Sequence, residues 1–131
     1  MQTRSQRMAA TAAARVTARA AGDGYRAFAR EFPTLVHTCG LAQAVAFAQA
    51  KGAKSADHHN YLDDLAAVLV AAGYAAATSR SELEKYLRAA GTAVPEYVRV
   101  SRDAIDAAVW LKRYAEAARA DQPAASEEAK A

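Results

Sequence analysis

The side chains that could bind a metal or act as a nucleophile are one cysteine and three histidines. Cys39 follows His37 by two residues, and His58 and His59 are adjacent. Neighbouring residues on a helix point about 100° apart, so His58 and His59 cannot both face one ion. No Cys-x-x-Cys or His-x-x-x-His pair completes a tetrahedral zinc site, and nothing marks Cys39 as a thiol nucleophile. We therefore expect no metal and no cofactor, and we expect Cys39 to pack in the core.

Paired carboxylates are the next candidates for chemistry. Asp63 and Asp64 are adjacent, and Glu82 and Glu84 are two residues apart. General acid–base catalysis uses such pairs, but carboxylates on helices usually form a solvated face. The sequence Gly-Asp-Gly at 22–24 lacks the lysine that a phosphate-binding loop requires. We therefore predict no catalytic residues, and a small hydrolase or metal enzyme is the least supported class.

Basic side chains are arranged more regularly than the acidic ones. Arg15 and Arg19 are four residues apart, as are Arg26 and Arg30, so each pair shares one face of a helix. Residues 112–113 add Lys and Arg near the end of the chain. A phosphate backbone could lie on these faces, although exposed helices also carry charges for solubility. The net charge of +3 does not by itself identify a nucleic-acid ligand.

Helices must position these side chains, because apolar residues recur three and four apart between glycines and prolines. No segment alternates with the two-residue period of a strand. We expect a break or bend at Pro33, a cap for the fifth helix at Ser81 with Thr78 or Ser79 as rivals, and Pro95 in the first turn of the last helix. The predicted helices cover residues 3–21, 25–37 and 41–51, a fourth segment that has its N-cap at Ser55 or Asp57 and is closed by Gly73, a short fifth segment before Gly91, and 95–118.

The fold class is therefore all-α: a single compact bundle of about five to six helices at residues 1–120, followed by a disordered polar tail at 121–131. About three in ten residues are Ala, so the core should be thin and closely packed. Trp110 could form a stacking platform for bases with Tyr114, but burial in the core is the favoured interpretation. The large core residues are expected to include Leu35, Val36, Leu41, Val45, Phe47, Leu62, Leu65, Val68, Leu69, Ile105, Val109, Trp110 and Leu111.

Three segments, taken together, resemble one family. The first is the Arg- and Ala-bearing opening helix at 6–16; the second joins FPTLV at 32–36, GLAQAVAF at 40–47 and AK at 50–51; the third includes AVWLKRYAEA at 108–117. In this order the segments resemble the small subunit of the type III-B (Cmr-type) CRISPR RNA-guided RNA-silencing effector complex. The chain is richer in Ala than the family pattern and ends in a polar extension.

This resemblance implies a non-catalytic protein that stacks head to tail into a filament beside the subunits that hold the guide RNA. Its implied partners are other type III-B effector subunits, neighbouring small subunits with weak self-association, and guide and target RNA. The phosphates of the RNA would be contacted without sequence readout. The candidate RNA-binding residues are Arg15, Arg19, Arg26, Arg30, Lys51, Lys54, Lys112 and Arg113.

The alternative is a helical protein–protein adaptor with no RNA contact. In either case we expect a cytoplasmic protein without a membrane partner. No apolar run approaches the roughly 18 residues of a membrane span, and the first 22 residues lack the apolar core of a secretory signal. A single cysteine also fits a reducing compartment. We expect charge reversal of Arg15, Arg19, Arg26 and Arg30 to lower RNA capture without changing helical content.

Overall fold

The computed structural model describes residues 2–89 and 92–120, and no strand occurs in this part of the chain. Its helices are α1 (Arg4–Arg19), α2 (Asp23–Cys39), α3 (Leu41–Gly52), α4 (Ala56–Ala71), α5 (Arg80–Arg88) and α6 (Val94–Ala120). The predicted all-α bundle of about five to six helices is thereby confirmed. None of these helices combines the length and the apolar character that crossing a membrane requires. The predicted tail at 121–131 lies outside the described residues, so the division into domain and tail stays a prediction.

Side-chain caps explain where two of the helices begin. At the start of α1 the Thr3 hydroxyl accepts a hydrogen bond from the Gln6 backbone N–H at 3.1 Å, and the Gln6 side chain accepts one from the Thr3 N–H at 2.7 Å. This capping box satisfies two donors that a helix end leaves unpaired. The Ser79 hydroxyl caps α5 by accepting from the Glu82 N–H at 3.2 Å. Ser79 is therefore the cap, and the prediction of Ser81 is wrong.

α2 continues through Pro33 without a break, so of the two predicted alternatives the break is wrong and the bend stays a prediction. Proline inside a helix removes one hydrogen bond and costs about 3 kcal/mol. Packing of the apolar face of α2 offsets that cost, because Phe28 and Phe32 are buried on this helix just before the proline. Their ring centroids lie 5.2 and 5.0 Å from that of Tyr61 on α4. Buried aromatic pairs of this kind are among the strongest packing contacts of a small core.

α4 is the central helix of the bundle, because it contacts each of the other five. Its sequence places large apolar side chains three and four residues apart, and Tyr61, Leu62, Leu65 and Leu69 are fully buried. Alanines fill many of the facing positions on the surrounding helices, which lets the helix axes approach closely. Ala12, for example, is fully buried on α1. The predicted thin, Ala-rich core is confirmed.

Two of the predicted core residues are on the surface. Phe47 is 43% exposed and Val109 is 36% exposed. The buried stripe of α3 runs through Leu41, Ala44, Val45 and Ala48, as predicted, and Phe47 projects from a different side of that helix. Side-chain type suggested burial for Phe47 and Val109, but their positions on the helices exclude it.

Polar contacts fasten α6 to the bundle. Asp103 on α6 accepts hydrogen bonds from the Arg4 side chain of α1 and from the hydroxyl of Tyr74. The Tyr97 hydroxyl accepts one from the Ala42 backbone N–H at 3.0 Å, which satisfies a donor in the first turn of α3. The first and last helices of the described chain are therefore joined directly, as well as through α4.

The end of α3 is shaped by a close approach between Gly52 and a side chain of α4. The His59 ring passes over Gly52, and its Nε2 atom lies 2.9 Å from the Gln49 carbonyl oxygen, one of the acceptors that α3 leaves unpaired at its end. A Cβ atom at position 52 would overlap that ring.

We expect Gly52→Ala to lower the free energy of unfolding by about 1–3 kcal/mol, because overpacking displaces His59 from its hydrogen bond. Urea denaturation of the single and double variants provides the check. In a His59→Ala background the same substitution should cost nothing, since the ring is gone and Ala favours the helix. An equal cost of Gly52→Ala in both backgrounds would contradict the steric explanation.

Candidate nucleic-acid interface

Two of the predicted RNA-binding arginines contact a buried carboxylate of the same chain. Asp64 on α4 is fully buried and faces α1. The Arg15 Nε donates to Asp64 Oδ1 at 2.8 Å, and Arg19 donates through Nε at 3.2 Å and Nη2 at 3.1 Å. The Tyr25 hydroxyl donates to Asp64 Oδ2 at 2.6 Å. The expectation of a solvated Asp63–Asp64 pair is therefore wrong for Asp64, because α1 and α2 close over it.

The electrostatics of this cluster follow from burial and charge pairing. Hydrogen bonding to Asp64 raises the pKa of Arg19, and burial, followed by the Asp64 charge, raises the pKa of Tyr25. The side chains of Arg15 and Arg19 remain 39% and 27% exposed. One carboxylate against two guanidinium groups leaves a single net positive charge near this surface. The two arginines therefore hold α1 against α4, and only their outer edges can meet another molecule.

Arg26 is also engaged within the chain. Its side chain is only 10% exposed, and it forms an ion pair with Asp23 at the start of α2. Its Nη1 atom donates to the Ala21 carbonyl oxygen at 2.6 Å. Arg26 therefore stabilises the turn between α1 and α2, and little of its charge faces outward.

The other predicted cations are differently placed. Arg30, Lys54, Lys112 and Arg113 make no side-chain hydrogen bond or ion pair with any residue in the ranges 2–89 and 92–120. Lys51 lies over the Phe47 ring, with its Nζ atom 5.6 Å from the ring centroid. All of these except Lys112, which is half-buried, are exposed. The structure thus separates the eight candidates into three that are paired internally and five that keep their charge available.

Arg102 is an exposed cation that is not among the eight predicted residues. Arg102 on α6 is exposed and has no side-chain partner within the described residues. It is eleven residues before Arg113, which is about three helical turns, so the two side chains project from the same side of α6. This eleven-residue spacing was the signal that could have identified Arg102. Arg102 and Arg113 therefore present two cations on one side of the last helix.

An open groove runs between α2 and the exposed ring of Phe47. Its volume is about 510 Å³. The lining is mostly apolar, with one arginine and one glutamate, and Thr38 donates its hydroxyl to the Thr34 carbonyl oxygen at 2.9 Å. We call this site the α2–α3 groove, lined by Ala27, Arg30, Glu31, Thr34, Leu35, Thr38 and Phe47. It brings the free cation Arg30 close to an exposed aromatic ring.

A second exposed apolar feature lies on α6. Val94, Val98 and Val109 are exposed, Ile105 is half-buried, and the spacings of four, seven and four residues place them on one side of the helix. We call these four residues the α6 stripe. Exposed aliphatic rows of this kind are typical of protein-contact surfaces. Trp110 is not part of it: this residue is half-buried, packs against the core, and stacks on Tyr114 with ring centroids 6.0 Å apart.

His58, His59 and Cys39 make local contacts. The His58 ring packs on Phe28 with centroids 4.3 Å apart, and the half-buried Cys39 thiol donates to the Leu35 carbonyl oxygen at 3.2 Å. His59 contacts the end of α3, as described above. Within the described residues no group of three or more histidine, cysteine or acidic side chains could hold a metal ion.

The fold and its surface define a class: a small all-α bundle whose buried polar clusters hold helices together and whose free cations and apolar stripe face outward. The chain belongs to the Cmr5 family of CRISPR-associated proteins, since the family model described as "CRISPR-associated protein (Cas_Cmr5)" matches residues 4–118. The resemblance inferred from the three sequence segments is confirmed.

Two known proteins illustrate the relationship. The chain is 38% identical over 121 residues to the protein named "CRISPR system Cmr subunit Cmr5" of Thermus thermophilus, covering 89% of this chain and 96% of that relative. It also matches the crystal structure of a CRISPR-associated Cmr5 family protein from Thermus thermophilus, with a TM-score of 0.75 and 38% identity. That match covers 89% of this chain and 97% of the other.

Proposed function

We propose that this chain is the small subunit of a type III-B CRISPR effector complex, that it is not catalytic, and that it contacts the phosphates of guide and target RNA without reading their sequence. Membership of the Cmr5 family supports the assignment to such a complex, since the relative from Thermus thermophilus is named as a Cmr subunit. The observation that carries the RNA contact is the set of cations on α2, on α6 and at the end of α3 that make no side-chain hydrogen bond or ion pair within the described part of the chain.

The free cations are the strongest candidates for phosphate contact. A lysine or arginine without an internal partner gains a full ion pair and releases counterions when it meets a phosphate. Arg15 and Arg19 would have to share their charge between the phosphate and Asp64, so each gains less. We therefore place the main phosphate contacts at Arg30, Lys51, Lys54, Lys112 and Arg113, with Arg102 as an addition, and assign Arg15, Arg19 and Arg26 a minor part.

Stacking of copies into a filament is the second part of the proposal. A head-to-tail filament needs two different surfaces on each copy, because the contact does not close on itself. The α6 stripe supplies apolar surface for one of them. Its exposed area is small compared with the roughly 1,200 Å² of a stable interface, so a lone pair of copies should associate weakly.

We expect removal of two free cations at a time, in Arg30→Gln/Lys54→Gln and Lys112→Gln/Arg113→Gln, to weaken target-RNA capture by the assembled complex. The effect arises from phosphate binding, so it should be equal for RNA of any sequence. The slope of log affinity against log salt concentration should fall by about 0.7 for each single-strand phosphate that is no longer neutralised. Filter binding over a salt series measures both quantities.

The matched control removes two cations that already have partners. In Lys85→Gln/Arg88→Gln the charges removed are those that pair with Glu82 and Glu84 along α5. This variant should keep the affinity and the salt slope of the unmodified complex. Equal slopes for all three variants and the unmodified complex would contradict phosphate contact by this chain.

The alternative function is a helical adaptor that contacts only protein, favoured by the α6 stripe. Such an adaptor would remain bound to its partner subunits after nuclease treatment, and removal of the free cations would not alter RNA capture. Co-purification of the nuclease-treated complex, compared with the salt series above, separates the two functions.

A further inference from the structure

Phe47 is unusual in this protein because it is a large aromatic side chain that the fold leaves exposed. The rings of Tyr25, Phe28, Phe32 and Tyr61 are all buried in the core, whereas Phe47 is 43% exposed and lines the α2–α3 groove. Exposed phenylalanine in a concave apolar site is typical of a surface that binds a partner.

The charges around the ring indicate the chemistry of that partner. Arg30 lines the groove and has no side-chain partner within the described residues, and Lys51 places its ammonium over the ring. Lys54 follows three residues later and is also exposed without a partner in the described chain. Glu31 is the single acidic residue of the lining. The groove and its ring are thus bordered by two cations, Arg30 and Lys51, and one anion, which favours an anionic ligand with a flat apolar part.

We propose that the α2–α3 groove holds one unpaired nucleobase of RNA, stacked on Phe47, with the adjoining phosphates against Arg30 and Lys51. This inference rests on the proposed function, to which it adds a base-stacking site. Aromatic rings bordered by cations are how proteins bind single-stranded nucleic acids without sequence preference, since every base has a π face. A volume of about 510 Å³ lies within the usual range for sites that hold a small organic group.

A protein segment in the groove would be a poorer match for the charges. Covering Arg30 and Lys51 with an apolar surface such as the α6 stripe of a second copy would remove water from two cations without pairing them. Burial of an unpaired charge is costly, so such a contact would be disfavoured. A nucleotide instead supplies the anion and the flat ring together.

The test compares two RNA probes on the full-length chain at low salt. One probe is a short oligoadenylate; the other is a strand with the same number of phosphates but without bases. Stacking should make the unmodified protein bind the oligoadenylate at least about fivefold more tightly than the abasic strand. In Phe47→Ala and Phe47→Leu this preference should disappear, while binding of the abasic strand stays unchanged. Fluorescence anisotropy measures the affinities.

The control variants are measured with the same two RNA probes. Phe47→Trp should keep the preference, and Val70→Ala, which removes an exposed apolar side chain from α4, should not alter it. A preference that persists in Phe47→Ala, or equal binding of both strands by the unmodified protein, would overturn the stacking site and leave the phosphate contacts standing. If neither strand binds the free chain or the assembled complex, the proposed function fails too. If Phe47→Ala instead abolishes self-association in sedimentation without RNA, and the preference is unchanged, the groove belongs to a second copy.

Discussion

Replacement of both guanidinium groups that face Asp64, in Arg15→Ala/Arg19→Ala, will lower the free energy of unfolding by about 3–5 kcal/mol. The substitutions leave the buried carboxylate with the Tyr25 hydroxyl as its one remaining partner among the described residues. An uncompensated buried charge is among the most destabilising changes a single domain can undergo, and Ala itself favours the helix. Urea denaturation followed by circular dichroism measures the loss.

The control removes two cations that have no internal partner. Arg30→Ala/Lys54→Ala should change the free energy of unfolding by less than about 0.5 kcal/mol. Adding Asp64→Asn to the Arg15→Ala/Arg19→Ala variant should restore part of the stability, because the buried group is then neutral. Equal losses in the two double variants would contradict a structural role for the Asp64 cluster.

The Asp64 cluster also determines which substitutions can test RNA binding. From the sequence alone, we expected charge reversal at Arg15, Arg19, Arg26 and Arg30 to lower RNA capture and to leave helical content unchanged. Glutamate at positions 15 and 19 would place two more carboxylates beside Asp64, and like charges at that distance repel. We now expect reversal at those two positions to unfold the chain. Loss of RNA capture in such a variant would therefore report loss of the fold, and the free cations are the informative positions.

Raising the pH from 10 to 12 will destabilise the protein through its buried tyrosines. Burial raises the pKa of Tyr25 and of Tyr61, and the charge of Asp64 raises both further. In the unfolded chain both titrate near the ordinary value of about 10. The contribution of these two tyrosines to the free energy of unfolding is thus fully present below pH 10. It is lost as the pH rises, by about 1.4 kcal/mol per pH unit for each tyrosine. Burial and a hydrogen bond to Glu96 raise the pKa of Tyr86 to about 12. Tyr86 therefore adds to the loss of stability up to that pH.

Tyr61→Phe is the matched control for the pH prediction. The Tyr61 hydroxyl is buried and has no hydrogen-bond partner among the described residues, so its removal should cost little at neutral pH. The ring contacts with Tyr25, Phe28 and Phe32 are retained. Urea denaturation at a series of pH values should give a slope smaller by about 1.4 kcal/mol per pH unit in this variant. An unchanged slope would show that Tyr61 does not contribute.

Helix positions were predictable because the signals that set them are local. The glycines at 22, 40, 52 and 73 separate the helical segments, and the apolar stripe of α3 has the three-and-four spacing of a buried helix face. Pro95 falls in the first turn of α6, as expected from its missing N–H. Cap choice and the unbroken passage through Pro33 were not predictable, because both depend on neighbours that pack against the helix.

The candidate site was predictable only in part, because pairing is a tertiary property. Arg15 and Arg19 are four residues apart whether they face solvent or Asp64, and the sequence does not indicate which. Only the packing of α1 on α4 reveals that they are paired. Phe47 was assigned to the core from its type, yet its position on α3 leaves it exposed. The sequence thus identified the family and the cations, and the three-dimensional contacts identify which of those cations are free.

The contacts of α1 have a consequence for how the chain is made. This helix packs on both α4 and α6, and its Arg4 side chain bonds to Asp103, 99 residues later. During synthesis the packing of α1 is complete only after almost the entire described length has left the ribosome. A chain cut before α6 would keep part of the apolar face of α1 uncovered and would be open to proteases. Resistance to proteases therefore depends on α6 as much as on the helices that precede it.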